Sequence, residues 1–223
     1  MILKTRLQET RNNILKSEVV AQRSKNSVSL VAVSKMVDVD VIHSALSYGQ
    51  TIFAENKVKE AQIKWSSLKQ NWNVELRFIG SLQSNKVPEV ISLFDVIETV
   101  CRDKIASLLA TEMEKQKRRL SIYIQVNTGN EAQKFGVRPK DTKNFFHLCQ
   151  EKYGLKVEGL MCIPPIEENP GPHFCLLSNI ARDCGLKKLS MGMTKDFGTA
   201  IAFGSTSVRI GSGIFGDRPL KCN

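Results

Sequence analysis

The sequence predicts an α/β protein, a single (β/α)8 TIM-type barrel with an additional N-terminal helix. Two observations favour this fold. Short apolar runs rich in β-branched residues alternate eight times with segments of helical period. Several runs, such as SLVAV and SIYIQV, are almost continuously apolar, as is typical of parallel strands covered on both faces. An open doubly wound sheet is the alternative, because periodicity does not show whether the eighth strand pairs with the first.

The predicted strands are Leu30–Ser34, Thr51–Ala54, Leu76–Gly80, Phe94–Val100, Ser121–Asn127, Val157–Ile163, Lys188–Met191 and Ser207–Ile210. A helix around Leu3, Leu7 and Ile14 precedes the first strand. The segments between the strands carry apolar residues at helical spacing. Asp38 is placed to cap the helix after the first strand, and Gly49 to end that helix in a left-handed turn. The Pro-rich stretch Pro164–Pro172 is predicted to be a loop.

Length and charge limit the organisation and the partners. No linker divides the 223 residues, so we expect one domain over residues 1–223. The net charge of +10 raises a nucleic acid or an anionic ligand as a partner. The densest basic cluster, Lys115 to Arg119, has Glu112 and Glu114 beside it and no interleaved aromatic residues. We therefore expect a solvated helix end there and no nucleic-acid partner.

The sequence also limits the cellular setting. No apolar run approaches the ~18 residues of a membrane span, and Met1–Lys4 leads into polar residues. We therefore expect a cytoplasmic protein with no membrane partner. The six cysteines include no C-x-x-C pair, which favours reduced, mostly buried thiols over a metal site.

Lys35 follows the first predicted strand directly. Ligands of α/β proteins bind at the carboxyl ends of the strands, and desolvation there favours a neutral amine. A neutral amine attacks a carbonyl group to give a Schiff base. The alternative is a lysine that only marks the boundary between a strand and a solvated loop.

Two glycine- and serine-containing turns are candidates for binding an anion. They are Ser190–Thr194, after the seventh strand, and Arg209–Gly216, after the eighth. Backbone N–H groups at strand-to-helix turns bind phosphates, and Gly211 permits a close backbone approach. Either turn alone is equally consistent with an ordinary βα connection. The G-x-G-x-x-G spacing within the second turn is not a dinucleotide site, because only seven residues follow it.

A strand-end lysine combined with two anion-binding turns suggests pyridoxal 5′-phosphate. That cofactor needs an amine for its aldehyde, donors for its phosphate and a group beside its pyridine nitrogen. Arg209, two residues before Gly211, is the candidate for the last role. A cationic donor at that nitrogen keeps it unprotonated and weakens the ring as an electron sink.

The chain resembles the YggS/PROSC family of pyridoxal phosphate homeostasis proteins over essentially its whole length. The segments that carry the resemblance are AVSK (32–35), FAENKVKEA (53–61), FIGSLQSNK (78–86), QVNTGNEAQKFG (125–136), EGLMCIPP (158–165), LSMGMTKDF (189–197) and VRIGSGIFG (208–216). The resemblance implies a barrel like the N-terminal domain of bacterial alanine racemase. Ala54, Arg77, Phe135 and Ser212 depart from the residues common in the family.

The resemblance also implies the cofactor-binding residues. Lys35 is expected to carry the cofactor as an internal aldimine, and Arg209 to face the pyridine nitrogen. Ser190, Gly211 and Ser212 are expected to hold the phosphate, and Asn56 to line the pocket. No catalytic residue and no metal ligand is assigned.

The implied function is control of pyridoxal phosphate supply without established turnover. A single-domain amino-acid racemase is the first alternative, and a basic nucleic-acid or anion-binding barrel is the second. Racemisation needs proton-transferring groups on both faces of the cofactor, and Lys35 supplies one. Alanine racemases take the other, a tyrosine, from a further domain of a partner subunit, which we do not expect in a chain that stops at Asn223. We expect a monomer, with free amino acids and cofactor-dependent apo-enzymes as its further partners.

Overall fold

The computed structural model describes residues 2–131 and 133–216. Over these residues, parallel strands follow one another around a closed barrel. The strands are β1 (Ser29–Val33), β2 (Ile52–Glu55), β3 (Glu75–Phe78), β4 (Val96–Val100), β5 (Ser121–Gln125), β6 (Lys156–Met161), β7 (Lys188–Ser190) and β8 (Ser207–Ile210). β8 pairs with β1, with Ser29 opposite Ser207 and Ala32 opposite Ile210. This pairing confirms the predicted barrel and excludes the open sheet.

Helices connect successive strands and cover the barrel from outside. They are α1 (Ile2–Val20), α2 (Val39–Ser47), α3 (Val58–Asn71), α4 (Val87–Leu93), α5 (Asp103–Lys115), α6 (Thr142–His147), α7 (Pro170–Asp183), α8 (Phe197–Ala202) and α9 (Ser212–Phe215). α1 is the expected additional N-terminal helix, and it packs against α8 and α9. A π-helical turn over Leu148–Lys152, which the sequence did not indicate, continues α6.

The main apolar core lies between the strands and the helices, where Phe53 and Trp65 pack with their ring centroids 4.9 Å apart. The interior of the barrel is different, because several charged and polar side chains cross it. Arg77 on β3 reaches Ser207 on β8, with 3.3 Å between guanidinium and hydroxyl, although these strands are not neighbours. Burying such groups is costly unless they are hydrogen-bonded. The interior contacts therefore determine which polar groups reach the carboxyl end of the barrel.

The observed elements differ from the predicted ones mainly at the carboxyl ends of strands. Gly80 and Ile163 lie beyond β3 and β6, because the chain turns there into the wall of a cavity. Asp38 precedes α2 as predicted but makes no capping hydrogen bond, and it also lines that cavity. Gly49 has the predicted left-handed conformation, with φ of 76°.

The predicted loop Pro164–Pro172 is shorter in the structure, because α7 begins at Pro170. Proline is well suited to the first turn of a helix, where its missing N–H group has no partner to lose. The side chain of Asn169 caps the helix by accepting a hydrogen bond from the Gly171 N–H at 2.9 Å.

Candidate functional site

A cavity of about 870 Å³ opens at the carboxyl end of the barrel. The turns after β1, β2, β3, β6, β7 and β8 form its wall. The residues that line it include Lys35, Asp38, Asn56, Gly80, Glu168, Met193, Thr194, Lys195, Asp196, Arg209, Gly211 and Ser212. A cavity of this size, with apolar walls and a few convergent polar groups, is typical of a small-molecule site.

Lys35 lies two residues beyond β1, half-buried in the cavity wall. The turn that carries it is closed by a 3.0 Å hydrogen bond from the Val37 N–H to the Ser34 carbonyl. Within this turn Met36 has a left-handed backbone conformation, with φ of 62°. Such a conformation is uncommon for residues other than glycine and needs support from its surroundings. The structure thus places Lys35 at the end of the strand and in the cavity wall.

Asn56 follows β2 and also lines the cavity, as expected. Its position depends on Gly80, which follows β3. A Cβ atom at Gly80 would lie 2.0 Å from the carbonyl oxygen of Asn56. Only a residue without a side chain permits this approach. The turns after β2 and β3 therefore pack backbone against backbone, which holds Asn56 in the cavity wall.

Arg209 lies on β8, is 4% exposed and forms part of the cavity lining. Its guanidinium donates to the Ser190 hydroxyl at 2.6 Å and to the Cys162 carbonyl at 2.9 Å. The Ser190 hydroxyl donates in turn to Glu98 Oε2 at 2.7 Å. Arg209 and Glu98 themselves are 3.9 Å apart, so Ser190 bridges them. This arrangement fixes the plane of the guanidinium within the cavity.

Glu98 is fully buried, and its second partner is Arg77, whose guanidinium lies 2.9 Å from Glu98 Oε1. Arg77 also binds Glu75 at 2.6 Å. Burial opposes the charge of Arg77, but Glu98 and Glu75 outweigh that effect and hold the pKa of Arg77 above its usual value. The sequence marked Arg77 as a departure from the family, and the structure places it in this interior ion pair.

Ser190, which the resemblance assigns to the phosphate, is not among the described residues that line the cavity. Its side chain is fully buried, and its hydroxyl contacts Glu98 and Arg209. The described cavity lining instead includes Thr194, from the same Ser190–Thr194 turn. The Thr194 hydroxyl lies 3.4 Å from that of Ser212. The sequence analysis did not assign Thr194 to the phosphate, although its hydroxyl in the same turn as Ser190 was the signal that could have indicated it.

Ser212 begins α9, where the first backbone N–H groups of a helix have no intrahelical acceptor. Gly213 follows, and a Cβ atom there would lie 3.2 Å from Thr194 Cγ2. The missing side chain keeps the two turns close together. At Gly211 a Cβ atom would lie 3.4 Å from the Val33 carbonyl oxygen, an ordinary contact. The absent side chain of Gly211 therefore faces β1.

Two carboxylates of the cavity, Asp196 and Glu168, have partners in the structure. Asp196 accepts a hydrogen bond from the Met193 N–H at 2.6 Å, which shapes the turn before α8. Glu168 lies 3.0 Å from the buried ring of His173. Among the residues described, the cavity lining includes no tyrosine, histidine or cysteine.

Features outside the cavity bear on the other hypotheses. In the part of the chain that the structure describes, no group of three or more His, Cys, Asp or Glu residues is placed to hold a metal ion. The five described cysteines are unpaired, and Cys222 lies outside the described residues. No helix within residues 2–131 or 133–216 is long and apolar enough to cross a membrane. In the basic cluster, Lys115 pairs with Glu112 and Arg119 with Glu114.

Residues 6–219 match the family described as alanine racemase, N-terminal domain. Two curated relatives, both called pyridoxal phosphate homeostasis protein, are similar over nearly their whole length. The relative from Pasteurella multocida is 36% identical over 229 aligned positions, which cover 98% of each chain. The relative from Aquifex aeolicus is 36% identical over 222 positions, which cover 96% of this chain and 97% of the relative.

Two solved structures place the fold among known proteins. PipY of Synechococcus elongatus PCC7942, solved with pyridoxal 5′-phosphate (PLP) bound, matches with a TM-score of 0.82 at 27% identity. The match covers 96% of this chain and 100% of the PipY chain. Alanine racemase of Clostridium difficile 630 has a TM-score of 0.74 at 13% identity. The match covers 99% of this chain and 58% of the racemase, and at that identity it supports the fold alone.

Proposed function

This chain belongs to the family of pyridoxal phosphate homeostasis proteins, and we propose that it holds pyridoxal 5′-phosphate (PLP) in the cavity, attached to Lys35. The protein binds PLP and takes part in PLP homeostasis. One observation carries the assignment of the site: an amine, a buried guanidinium and two hydroxyl-bearing turns line the same cavity. PipY, a structural neighbour at 27% identity, was solved with PLP bound.

The donor set fits the three functional groups of the cofactor. When bound, PLP supplies an aldehyde that condenses with a primary amine and releases one water molecule. Lys35 is the half-buried amine of the cavity wall, whereas the other lining lysine, Lys195, is exposed. Thr194 and Ser212 are hydroxyl donors 3.4 Å apart at the start of α9, and together they suit the phosphate. Arg209 is the cationic donor for the pyridine nitrogen.

Each residue has a distinct role in this proposal. Lys35 holds the cofactor covalently, and Asn56 closes the cavity wall beside it. Arg209 donates a hydrogen bond and keeps the pyridine nitrogen without a proton. Ser190 acts through Arg209, because its hydroxyl is committed to that guanidinium and to Glu98. Gly211 connects β8 to Ser212, and both residues line the cavity.

We propose storage and delivery of PLP, without turnover of amino acids. Racemisation requires a proton-transferring group on each face of the cofactor. Lys35 supplies one face, and the described lining offers the carboxylates of Asp38, Glu168 and Asp196 in place of a tyrosine or histidine. Arg209 also disfavours the protonated ring that stabilises a carbanion. The relatives are likewise named homeostasis proteins.

The proposed partners follow from this role. Free amino acids exchange with Lys35 for the cofactor's aldehyde, and cofactor-dependent apo-enzymes receive it. We further propose one barrel domain over residues 1–223, which acts as a monomer in the cytoplasm. Nucleic acid is not among the proposed partners, because Lys115 and Arg119 are paired with acidic neighbours on their own helix end.

A titration with PLP tests the site. The wild-type protein is expected to gain a visible absorption band as PLP is added, and to retain it on dialysis. Lys35→Ala is expected to bind PLP weakly and to lose the band on dialysis. Lys195→Ala is the matched control, because Lys195 is exposed at the rim of the same cavity. A band that survives dialysis in Lys35→Ala would contradict the proposal.

A further inference from the structure

Two side chains of α3 form hydrogen bonds with the backbone of the residues before and after Lys35. Lys64 Nζ donates to the carbonyl oxygen of Ser34, the residue before Lys35, at 2.8 Å. Glu60 Oε1 accepts from the N–H of Met36, the residue after Lys35, at 2.5 Å. The two side chains are also paired with each other at 2.5 Å, one helical turn apart. We call this pair and its two backbone contacts the turn clamp.

The turn clamp acts on a backbone that needs support. Met36 has a left-handed backbone conformation although it is not a glycine. Its side chain is exposed, so packing of that side chain does not stabilise the conformation. The contact from its N–H to Glu60 is the hydrogen bond that the structure records there. Burial disfavours the Glu60 carboxylate, but hydrogen bonds from Lys64 and from the Met36 backbone outweigh it and keep the pKa of Glu60 below its usual value.

Lys64 is an unusual residue for this position, because it is only 7% exposed and its helix is otherwise buried through apolar residues. A buried lysine is retained only where its charge is compensated. Besides Glu60, its partner is Glu55 at 3.4 Å. Glu55 Oε1 also accepts from the Ser34 hydroxyl at 2.7 Å and from Trp65 Nε1 at 3.2 Å. The charged amine of Lys64 is therefore buried against the Lys35 turn and compensated by two carboxylates.

We propose that Glu60 and Lys64 are positioning residues that fix the turn around Lys35 and so set the rate at which Lys35 captures PLP. The proposal rests on the proposed function, because it takes Lys35 as the attachment point. Neither Glu60 nor Lys64 is among the residues that line the cavity. Loss of the clamp is therefore expected to disorder the amine without weakening the phosphate and ring contacts.

The test separates capture from binding. Capture is followed as the rate at which the visible band develops after PLP is mixed with ligand-free protein. Binding is measured with pyridoxine 5′-phosphate, which has an alcohol in place of the aldehyde and cannot link to an amine. Lys64→Met and Glu60→Ala are expected to slow capture by about tenfold, the size of effect of one lost hydrogen bond to a charged group, with unchanged affinity for pyridoxine 5′-phosphate. Lys64→Arg, which keeps the donor, is expected to recover most of the rate.

Lys69→Met is the matched control. Lys69 lies on the same helix and pairs with Asp95 at 2.7 Å, away from the Lys35 turn. It is expected to capture PLP at the wild-type rate. If Lys64→Met fails to fold, Glu60→Ala still decides, because Glu60 is only partly buried.

A second measurement needs no PLP. In the ligand-free protein, amide hydrogen exchange of the peptide that contains Met36 is expected to be faster in Glu60→Ala than in the wild type, and unchanged in Lys69→Met. Wild-type capture rates in both clamp variants would overturn the proposal, as would an equal loss of affinity for pyridoxine 5′-phosphate. Attachment of PLP to a lysine other than Lys35 in the wild type would instead contradict the proposed function.

Discussion

The hydroxyl of Ser190 and the guanidinium of Arg209 are 2.6 Å apart inside the barrel, beneath the cavity. This contact joins β7 to β8, and Glu98 extends it to β4 through its own bond to Ser190 at 2.7 Å. The fully buried Ser190 thus spans an acid and a base that are 3.9 Å apart. We propose that the role of Ser190 in the site is to position Arg209.

Ser190→Ala tests this role against the phosphate contact expected from the family resemblance. Without the hydroxyl, Arg209 loses one of its two recorded hydrogen bonds. We expect the affinity for PLP to fall by roughly tenfold to a hundredfold, the effect of one hydrogen bond to a charged group. Pyridoxal, which lacks the phosphate, is expected to lose affinity by the same factor. A loss confined to PLP would restore the phosphate role.

Ser207→Ala is the control for this variant. Ser207 is also buried in the barrel interior, and it contacts Arg77 at 3.3 Å. It is expected to bind PLP and pyridoxal with nearly wild-type affinity, because Arg209 keeps both of its partners.

Thr194 and Ser212 are expected to show the opposite pattern. Their hydroxyls face each other across 3.4 Å in the cavity wall, where we propose that the phosphate binds. Thr194→Val and Ser212→Ala should each weaken PLP by about tenfold or more, while pyridoxal is unaffected. Thr194→Ser keeps the hydroxyl and should bind as the wild type does. Equal losses for PLP and pyridoxal, measured by equilibrium titration, would place the phosphate elsewhere.

Arg77 is expected to matter for stability. Arg77→Met leaves the fully buried Glu98 carboxylate without its ion-pair partner at 2.9 Å. Removing one partner of a buried pair costs about 3–5 kcal/mol, which urea unfolding will measure. Arg119→Met is the control, since Arg119 and Glu114 are both largely exposed and such pairs contribute about 0–1 kcal/mol. The double variant Arg77→Met/Glu98→Gln should regain part of the loss. An Arg77→Met variant as stable as Arg119→Met would refute this account of the interior.

The eight parallel strands were predictable because they are buried on both faces, so that runs such as SLVAV and SIYIQV stand out from the helical segments. The position of Lys35 was predictable for a related reason, since a lysine directly after such a run lies at the carboxyl end of the strand. Closure of the barrel was not predictable, because it depends on the pairing of β8 with β1, which leaves no trace in local periodicity.

The roles of Ser190 and Thr194 were not predictable from spacing. Both residues belong to one turn, but β7 ends at Ser190, so its side chain is still directed into the barrel interior toward Glu98. Thr194 lies four residues later, beyond the left-handed Gly192, and reaches the cavity. The turn clamp was likewise not predictable from the sequence, because Glu60 and Lys64 show the spacing of an ordinary surface ion pair. Contacts between distant strands and helices decide such roles.

The holo-protein is expected to exchange its cofactor with amines without exchanging the α-proton of amino acids. We propose that Arg209 opposes protonation of the ring, and the described cavity wall offers carboxylates but no tyrosine or histidine for the second face. Incubation with L- and D-alanine in D2O, followed by NMR, should show a change in the absorption spectrum with negligible loss of the α-proton over hours. Exchange at about 1 s⁻¹ or faster, within the range of ordinary enzymes, would support a racemase instead.

The central claim is that Lys35 is the residue that holds PLP. Reduction of the PLP-loaded protein with borohydride makes the linkage permanent, and peptide mass mapping then locates it. We expect a phosphopyridoxyl group on the peptide that contains Lys35, and no visible band after dialysis in Lys35→Ala. A phosphopyridoxyl group on another lysine, with the band retained after dialysis in Lys35→Ala, would contradict it.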